Sequence, residues 1–523
     1  MDNNEHIGLY LLKKGQKGMV SSIFSRLGIF IILIVLQILC MFSIFKWFGD
    51  FLPHIYGITI TFTIFIALYL LDTDINPTAK LTWLIAIMGL PVFGSILFIY
   101  TQTNLGHRTL TERVNHIITG TKKQLLQDPD TLKEIENKNR HIAALTKYVN
   151  NSGSFPIHKN SNVKYFPIGE AKFKEMLIQL ENAKNFIFLE YFIINEGMMW
   201  GQILEILARK AKEGVDVRVM YDGTCEFSTL PHSYPKKLQA LGIKCKAFAP
   251  LTPFVSTHYN YRDHRKILVI DGHTAFTGGV NLADEYINEV ERFGHWKDTA
   301  IMVQGEAVKN FTLMFLQLWS IDETKTDYQK FLSAPCPKLN EKGYVMPYGD
   351  CPLDDDKVGE QVYMDLLNRA SSYVHIMTPY LILDGEMENA LKFAAKRGVD
   401  VKIILPGIPD KKIPYALAYT HYASLLRAGI EIYHYTPGFI HAKSFVVDNQ
   451  EAVVGTINLD YRSLYHHFEC GAYMYDVDCI SDIEQDFIST LQKCEEITLV
   501  NMKEQPLSRK LRGFLLKPIA PLL

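Results

Sequence analysis

The chain has little of what would mark several common functional classes. Lysine and arginine number 54 against 56 aspartates and glutamates, a formal net charge of −2. Composition therefore does not advertise a nucleic-acid surface. Eight cysteines stand scattered at positions 40, 225, 245, 336, 351, 470, 479 and 494, without a C-x-x-C pair. That scatter suggests neither a zinc site nor a disulfide framework, and buried thiols are the default. No G-x-x-x-x-G-K-[ST] loop is present to cradle a nucleotide. No His/Asp/Glu group has ligand spacing, so neither metal nor cofactor is expected.

Charge is also missing from three long runs near the N-terminus. Residues 27–45, 51–71 and 81–100 hold 19, 21 and 20 residues without Asp, Glu, Lys or Arg. At about 1.5 Å per residue each reaches about 30 Å, the thickness of a hydrocarbon core. A multi-pass anchor over residues 1–100, in a cell membrane, is the expectation. The first run is too long for a secretory signal, and no A-x-A-like cleavage site follows it. The third carries Pro91 between Gly89 and Gly94, which admits a kink or a shallow re-entrant course. Orientation stays open. Lys13, Lys14, Lys17 and Arg26 precede the first run, while Arg108, Arg113, Lys122 and Lys123 follow the third. Three full spans would set those clusters on opposite sides, against the positive-inside tendency.

Residues 101–161 are polar, with helical stretches and an Asn-Ser-Gly-Ser-Phe-Pro run that reads as a linker. They are expected to lift the catalytic part off a bilayer, with a helical coupling element as the rival reading.

What is present in force is a repeat. Residues 264–281 read HRKILVIDGHTAFTGGVN and residues 441–458 read HAKSFVVDNQEAVVGTIN. Both fit H-x-K-x4-D-x6-G-x2-N, and all five fixed positions are offset by 177. A period this long points to a duplicated domain rather than a solenoid. HRKILVID and HAKSFVVD are β-branched, apolar runs ended by Asp-Gly and Asp-Asn turns, so each reads as a buried strand. Alternation puts His264 and Lys266 on one face, and likewise His441 and Lys443. Asp271 and Asp448 lie an odd seven residues on, which makes them strand-end anchors more than partners of the histidines. The glycines then return the chain so that Asn281 and Asn458 reach the same site. Two imidazoles and two ammonium groups suit a phosphodiester. One imidazole attacks phosphorus, the other protonates the leaving oxygen, and the ammoniums hold the non-bridging oxygens.

Around the motifs both halves repeat strand, helix, strand. In the first half these are NFIFLEYFII, WGQILEILARKAKEG and VDVRVMYD; in the second YVHIMTPYLIL, EMENALKFAAKRG and VDVKIILPG. The pattern argues for parallel sheet covered by helices, an α/β fold. Residues 330–345, with Pro335, Pro337 and Gly343, form the joint, giving domains over 162–330 and 331–523. Glu190, Tyr191 and Tyr380 end strands near the site, where head-group contact and core packing are both open. The tail mixes Arg509, Lys510, Arg512 and Lys517 with apolar residues. It suits an anionic membrane surface or a packed terminal helix.

The stretches NYRDHRKILVIDG, FTGGVNLADEY, FGHWKDT, PGFIHAKSFVVD, VGTINLDYRSL and HFE resemble the phospholipase D superfamily and, within it, the bacterial cardiolipin synthases. The resemblance covers about residues 50 to 523. It implies two tandem phospholipase D-type α/β domains forming one pseudo-symmetric catalytic unit without metal or cofactor. It further implies a phosphatidyltransferase joining two phosphatidylglycerol molecules into cardiolipin and glycerol, partnered by a bilayer and not by nucleic acid. His264 is then the nucleophile and His441 the general acid, with Lys266, Asp271, Lys443 and Asp448 completing the paired catalytic motifs. The resemblance also gives Asp298 and Glu469, 34 residues after His264 and 28 after His441, the role of orienting an imidazole. His467 and Thr456 stand where the family commonly has Asn and Ser. A hydrolytic phospholipase D, a phosphatidylserine synthase and, from a different class, a membrane-tethered nuclease are the alternatives. The oligomeric state is left open.

Overall fold

The chain is described by a computed structural model over residues 52–73, 75–102, 108–250, 261–337, 339–354 and 356–522. The first apolar run, 27–45, and the basic cluster before it lie outside these residues.

Each half is built on a mixed sheet. In the first, seven strands lie in the spatial order Ser161–Phe166, Ala300–Gly305, Thr274–Gly278, Lys266–Ile270, Phe186–Tyr191, Asp216–Asp222, Lys244–Phe248. Only the last three run parallel. The expectation of parallel sheet holds for that part and fails for the rest. Parallel neighbours need a crossover helix, which Met198–Lys212 supplies between Phe186–Tyr191 and Asp216–Asp222. The motif strands instead leave through tight turns, so they pair antiparallel. The second half repeats the plan. Tyr373–Met377, Asp400–Pro406 and Glu431–Tyr435 are parallel, while Ser444–Val447, Glu451–Gly455, His467–Tyr475 and Tyr344–Asp350 follow antiparallel on one side.

The turn after each motif strand explains its aspartate. Asp271 and Gly272 both take positive φ, 52° and 73°, as do Asp448 and Asn449, at 51° and 53°. Two successive left-handed residues make the hairpin turn whose twist matches the flanking strands, and Asp, Asn and Gly tolerate it best.

One hydrophobic core runs through both halves, and the helix Val308–Trp319, buried at every position but Lys309, lies within it. The segment read as a spacer is, in its described part, tied to this core. Helices Arg108–Thr121, Pro129–Lys138 and Arg140–Gly153 place Val114, Ile135, Ile142, Leu145 and Val149 there. Their apolar residues fall at helical spacing, so burying that stripe outweighs the solubility of the polar face.

No helix among the described residues is long and apolar enough to cross a membrane. The 81–100 run is broken at Leu90 into helices Pro77–Gly89 and Pro91–Gln102. These fold back on each other, with the Trp83 and Phe98 rings 5.4 Å apart. A straight helix would separate residues fifteen apart by about 22 Å. Before the hairpin, Leu52–Asp72 turns Ile60, Ile64, Phe65 and Leu68 outward. The hairpin is tied to the second half through Asn76, whose Nδ2 donates to Asp384 Oδ2 at 2.8 Å and to the Tyr465 hydroxyl at 2.9 Å.

Candidate active site

Two short strand pairings cross between the halves. Arg262 and Asp263 lie parallel to His467 and Phe468. Symmetrically, Gly438–Ile440 lies parallel to His295–Lys297. Each crossing ends on a motif histidine. The backbone N–H of His264 donates to Phe468 O at 2.9 Å, and that of His441 to Lys297 O at 2.7 Å.

The same crossings deliver the carboxylates. His264 Nδ1 lies 2.8 Å from Glu469 Oε1, and His441 Nδ1 lies 2.7 Å from Asp298 Oδ2. Each imidazole is thus oriented by a carboxylate from the other half, in a pairing that distance along the chain does not foretell. With its Nδ1–H given to an acceptor, each ring leaves Nε2 for chemistry. All four groups are buried.

Lys266 and Lys443 are also buried, and each donates to the carbonyl of its own motif histidine at 2.5 Å. Burial pushes Lys266 down to about 8 and Lys443 to about 7. Burial and the neighbouring Lys266, Lys443, His441 and Lys411 hold His264 well below the ordinary imidazole range. Burial and Lys443 take His441 to about 4, while Asp298 opposes them. The resting site therefore holds two neutral imidazoles among partly discharged ammoniums, waiting for an anion.

Two equivalent positions build the halves differently. Gly279 and Thr456 share the 177-residue offset. A Cβ at Gly279 would meet Asp298 Oδ1 at 2.0 Å and His441 O at 2.7 Å. Bare backbone is needed there to admit the carboxylate. Thr456 instead donates its hydroxyl to Glu469 Oε2.

Other expected residues are placed as follows. Asp271 accepts from the backbone N–H groups of Lys184, Asn185 and Phe186 at 2.7–2.8 Å. Asp448 does the same with Ser371, Ser372 and Tyr373, each at 2.8 Å. Both carboxylates are thus spent on neighbouring chain, and neither touches a motif histidine. They anchor strands, as their odd spacing from the histidines implies. Asn281 accepts from the Ile193 N–H and donates to the Tyr286 hydroxyl, 5.4 Å from whose ring centroid lies that of His441. Asn458 keeps a buried Oδ1 without a hydrogen-bond partner. Glu190 is buried against Arg265 at 2.6 Å, and Tyr191 against Lys172. Tyr380 donates to Asp410.

Sequence reasoning missed the aromatic walls. Phe192 stands 4.9 Å from His264, ring to ring, and 5.3 Å from the Lys266 ammonium. Trp296 and Phe439 flank His441 at 5.6 and 5.8 Å. Their only signal was position: Phe192 follows the strand Phe186–Tyr191, and Trp296 and Phe439 lie in crossing strands that could not be foreseen. Ligand spacing was missed as well, since the fold gathers His264, His467 and Glu469 within 4.8 Å of one another.

The family model described as "Cardiolipin synthase, PLD-like domain" matches residues 176–319 and 363–491. An uncharacterized protein of Streptococcus mutans is 54% identical over 87% of this chain and 99% of its own length. A cardiolipin synthase of Alkalihalophilus pseudofirmus is 33% identical over 88% of this chain and 92% of its own. Among solved structures, the phosphatidylserine synthase of Haemophilus influenzae shares the fold, with a TM-score of 0.55 and 16% identity over 72% of this chain and 98% of that one. The duplicated motifs, the crossed imidazole–carboxylate pairs and the breadth of these matches lead to one assignment: the chain belongs to the cardiolipin synthase family of phospholipase D-like phosphatidyltransferases.

Proposed function

We propose that the chain joins two phosphatidylglycerol molecules into cardiolipin and glycerol at one site built by both halves. The crossed pairing of His264 with Glu469 and His441 with Asp298 carries the reading. It supplies one imidazole to attack and one to move protons, each held in the tautomer its task needs.

His264 Nε2 attacks the phosphorus of the first lipid, and the bond from phosphorus to the head-group glycerol oxygen breaks. His441 takes up a proton at Nε2 as the anionic phosphodiester binds, and it gives that proton to the departing oxygen as glycerol leaves. A hydroxyl of the second phosphatidylglycerol then gives its proton to His441 and attacks phosphorus, releasing His264. Lys266 and Lys443 face the non-bridging oxygens, whose charge draws both toward their protonated forms. Bound phosphate likewise raises the basicity of His441. Asp298 favours the protonated form of His441, which suits that ring to the proton transfers and leaves the attack to His264.

A membrane setting is part of the same reading. The charge-free runs, the outward apolar residues of Leu52–Asp72, and Leu507, Leu511, Phe514 and Leu515 on the C-terminal helix support it. Bilayer attachment would concentrate phosphatidylglycerol hydroxyls at the intermediate, which favours transfer over hydrolysis.

Lipid-product analysis with purified chain and labelled phosphatidylglycerol is the test. Cardiolipin and glycerol in equal amounts are expected, with phosphatidic acid minor. Because similar bonds break and form, excess glycerol should return cardiolipin to phosphatidylglycerol. Dominant phosphatidic acid would make the chain a hydrolase. Resistance of the protein to carbonate extraction from membranes tests the anchor.

A further inference from the structure

The strand His467–Tyr475 brings a second imidazole beside His264. Its ring lies 5.3 Å from that of His264 and 6.4 Å from that of Phe192. Both of its nitrogens are buried, and neither has a hydrogen-bond partner. A buried polar group in that state costs free energy unless a ligand satisfies it. Its Nδ1 stands 3.7 Å from Glu469 Oε1, beyond hydrogen-bond range. Two ligand atoms on a tetrahedral zinc ion stand about 3.3 Å apart. One ligand atom from each of His264, His467 and Glu469 falls within 4.8 Å of the others. Two imidazoles with one carboxylate recur as a zinc donor set, with a fourth position left to water or substrate. The carboxylate is pre-set for this, because Thr456 holds Oε2 and leaves Oε1 toward the imidazoles.

We propose that His264, His467 and Glu469 form an inhibitory site for a divalent ion of the zinc class. An ion there displaces the Nδ1 proton of His264 from between imidazole and carboxylate. The metal takes the Nδ1 lone pair, the proton moves to Nε2, and the ring stays neutral. Nε2 then has no lone pair for phosphorus, and turnover stops. The inhibition rests on His264 being the nucleophile; the binding does not. Lys266 and Lys443 oppose a further cation, which holds the affinity below that of structural zinc sites.

The test uses the purified full chain in detergent micelles, with Zn²⁺ alone as probe, titrated against a chromophoric chelator. One ion per chain is expected to bind saturably, and His467→Asn should weaken it at least about tenfold. Unchanged melting of the variant controls for folding. The visible spectrum of four-coordinate Co²⁺ on the wild-type chain gives a readout that needs no variant. Zn²⁺ should also stop cardiolipin formation, and a chelator should restore it. Absence of saturable binding, or equal binding by His467→Asn, overturns the site. Binding lost in the variant while zinc leaves wild-type turnover untouched overturns the inhibition and the nucleophile assignment, and leaves the site.

Discussion

Lys443→Met should make this protein more stable and far less active. The lysine is buried, and burial takes its ammonium from 10.5 to about 7. Between those values the unfolded chain binds a proton that the folded chain largely lacks. Stability therefore rises with pH across that window, and below about 7 the folded state carries the full cost. At about 1.4 kcal/mol per pH unit the gap sets a ceiling of about 5 kcal/mol. Asp298 and Glu469 pull the other way, and a methionine leaves them with one cation fewer. A net gain of about 1–4 kcal/mol is expected at pH 7, as when buried charges yield to apolar residues of similar size. Melting followed by fluorescence in detergent, from pH 6.5 to 9.5, reads this directly. The wild type should gain several degrees across the range, and the variant should start higher with a flatter slope. Cardiolipin formation should fall at least about a hundredfold, because one cation facing the phosphoryl oxygens is gone. A variant that melts below wild type at pH 7, or keeps the wild-type slope, would refute the assignment of the buried lysine as a stability cost borne for catalysis.

Further outcomes follow from the site. Glu469→Gln and Asp298→Asn should each lower kcat by about 10³–10⁴ with KM little changed, since each frees one imidazole to take the wrong tautomer; residual activity near half in steady-state assays would mean two independent sites. Gly279→Ala should inactivate nearly as fully by pushing Asp298 off His441, whereas Gly385→Ala, with open space around its Cβ, should be neutral in the same assay. Asp448→Asn should cost about 1–3 kcal/mol by urea unfolding, because backbone N–H groups lose their charged acceptor; kcat per folded molecule should stay close to wild type, and a hundredfold fall would return Asp448 to the catalytic set.

What the order of residues makes legible here is local. Alternation places His264 with Lys266, the Asp-Gly and Asp-Asn pairs mark the hairpins, and odd spacing turns Asp271 away from its histidine. Amphipathic runs mark the crossover helices, such as Met198–Lys212. Pro91 foretells that 81–100 does not run straight. The missing part is long-range pairing. Arg262 and Asp263 are two residues of unremarkable type, and nothing nearby selects His467 and Phe468 as their partners. That choice is made by burying two sheets on one core, and it decides which carboxylate meets which histidine. The open valence of His467 is hidden for the same reason, since unmet hydrogen bonding is a property of surroundings and not of a residue type.

The crossing strands have a consequence for inheritance. A chain that has lost Glu469 and one that has lost Asp298 each retain one intact imidazole–carboxylate pair. Put in one cell, they do not rescue each other by mere coexistence, because every working pair draws one member from each half. Rescue needs two chains to trade whole halves, breaking and remaking the Arg262–Asp263 and Gly438–Ile440 seams between different molecules. Duplication here has made two copies that can no longer be inherited apart.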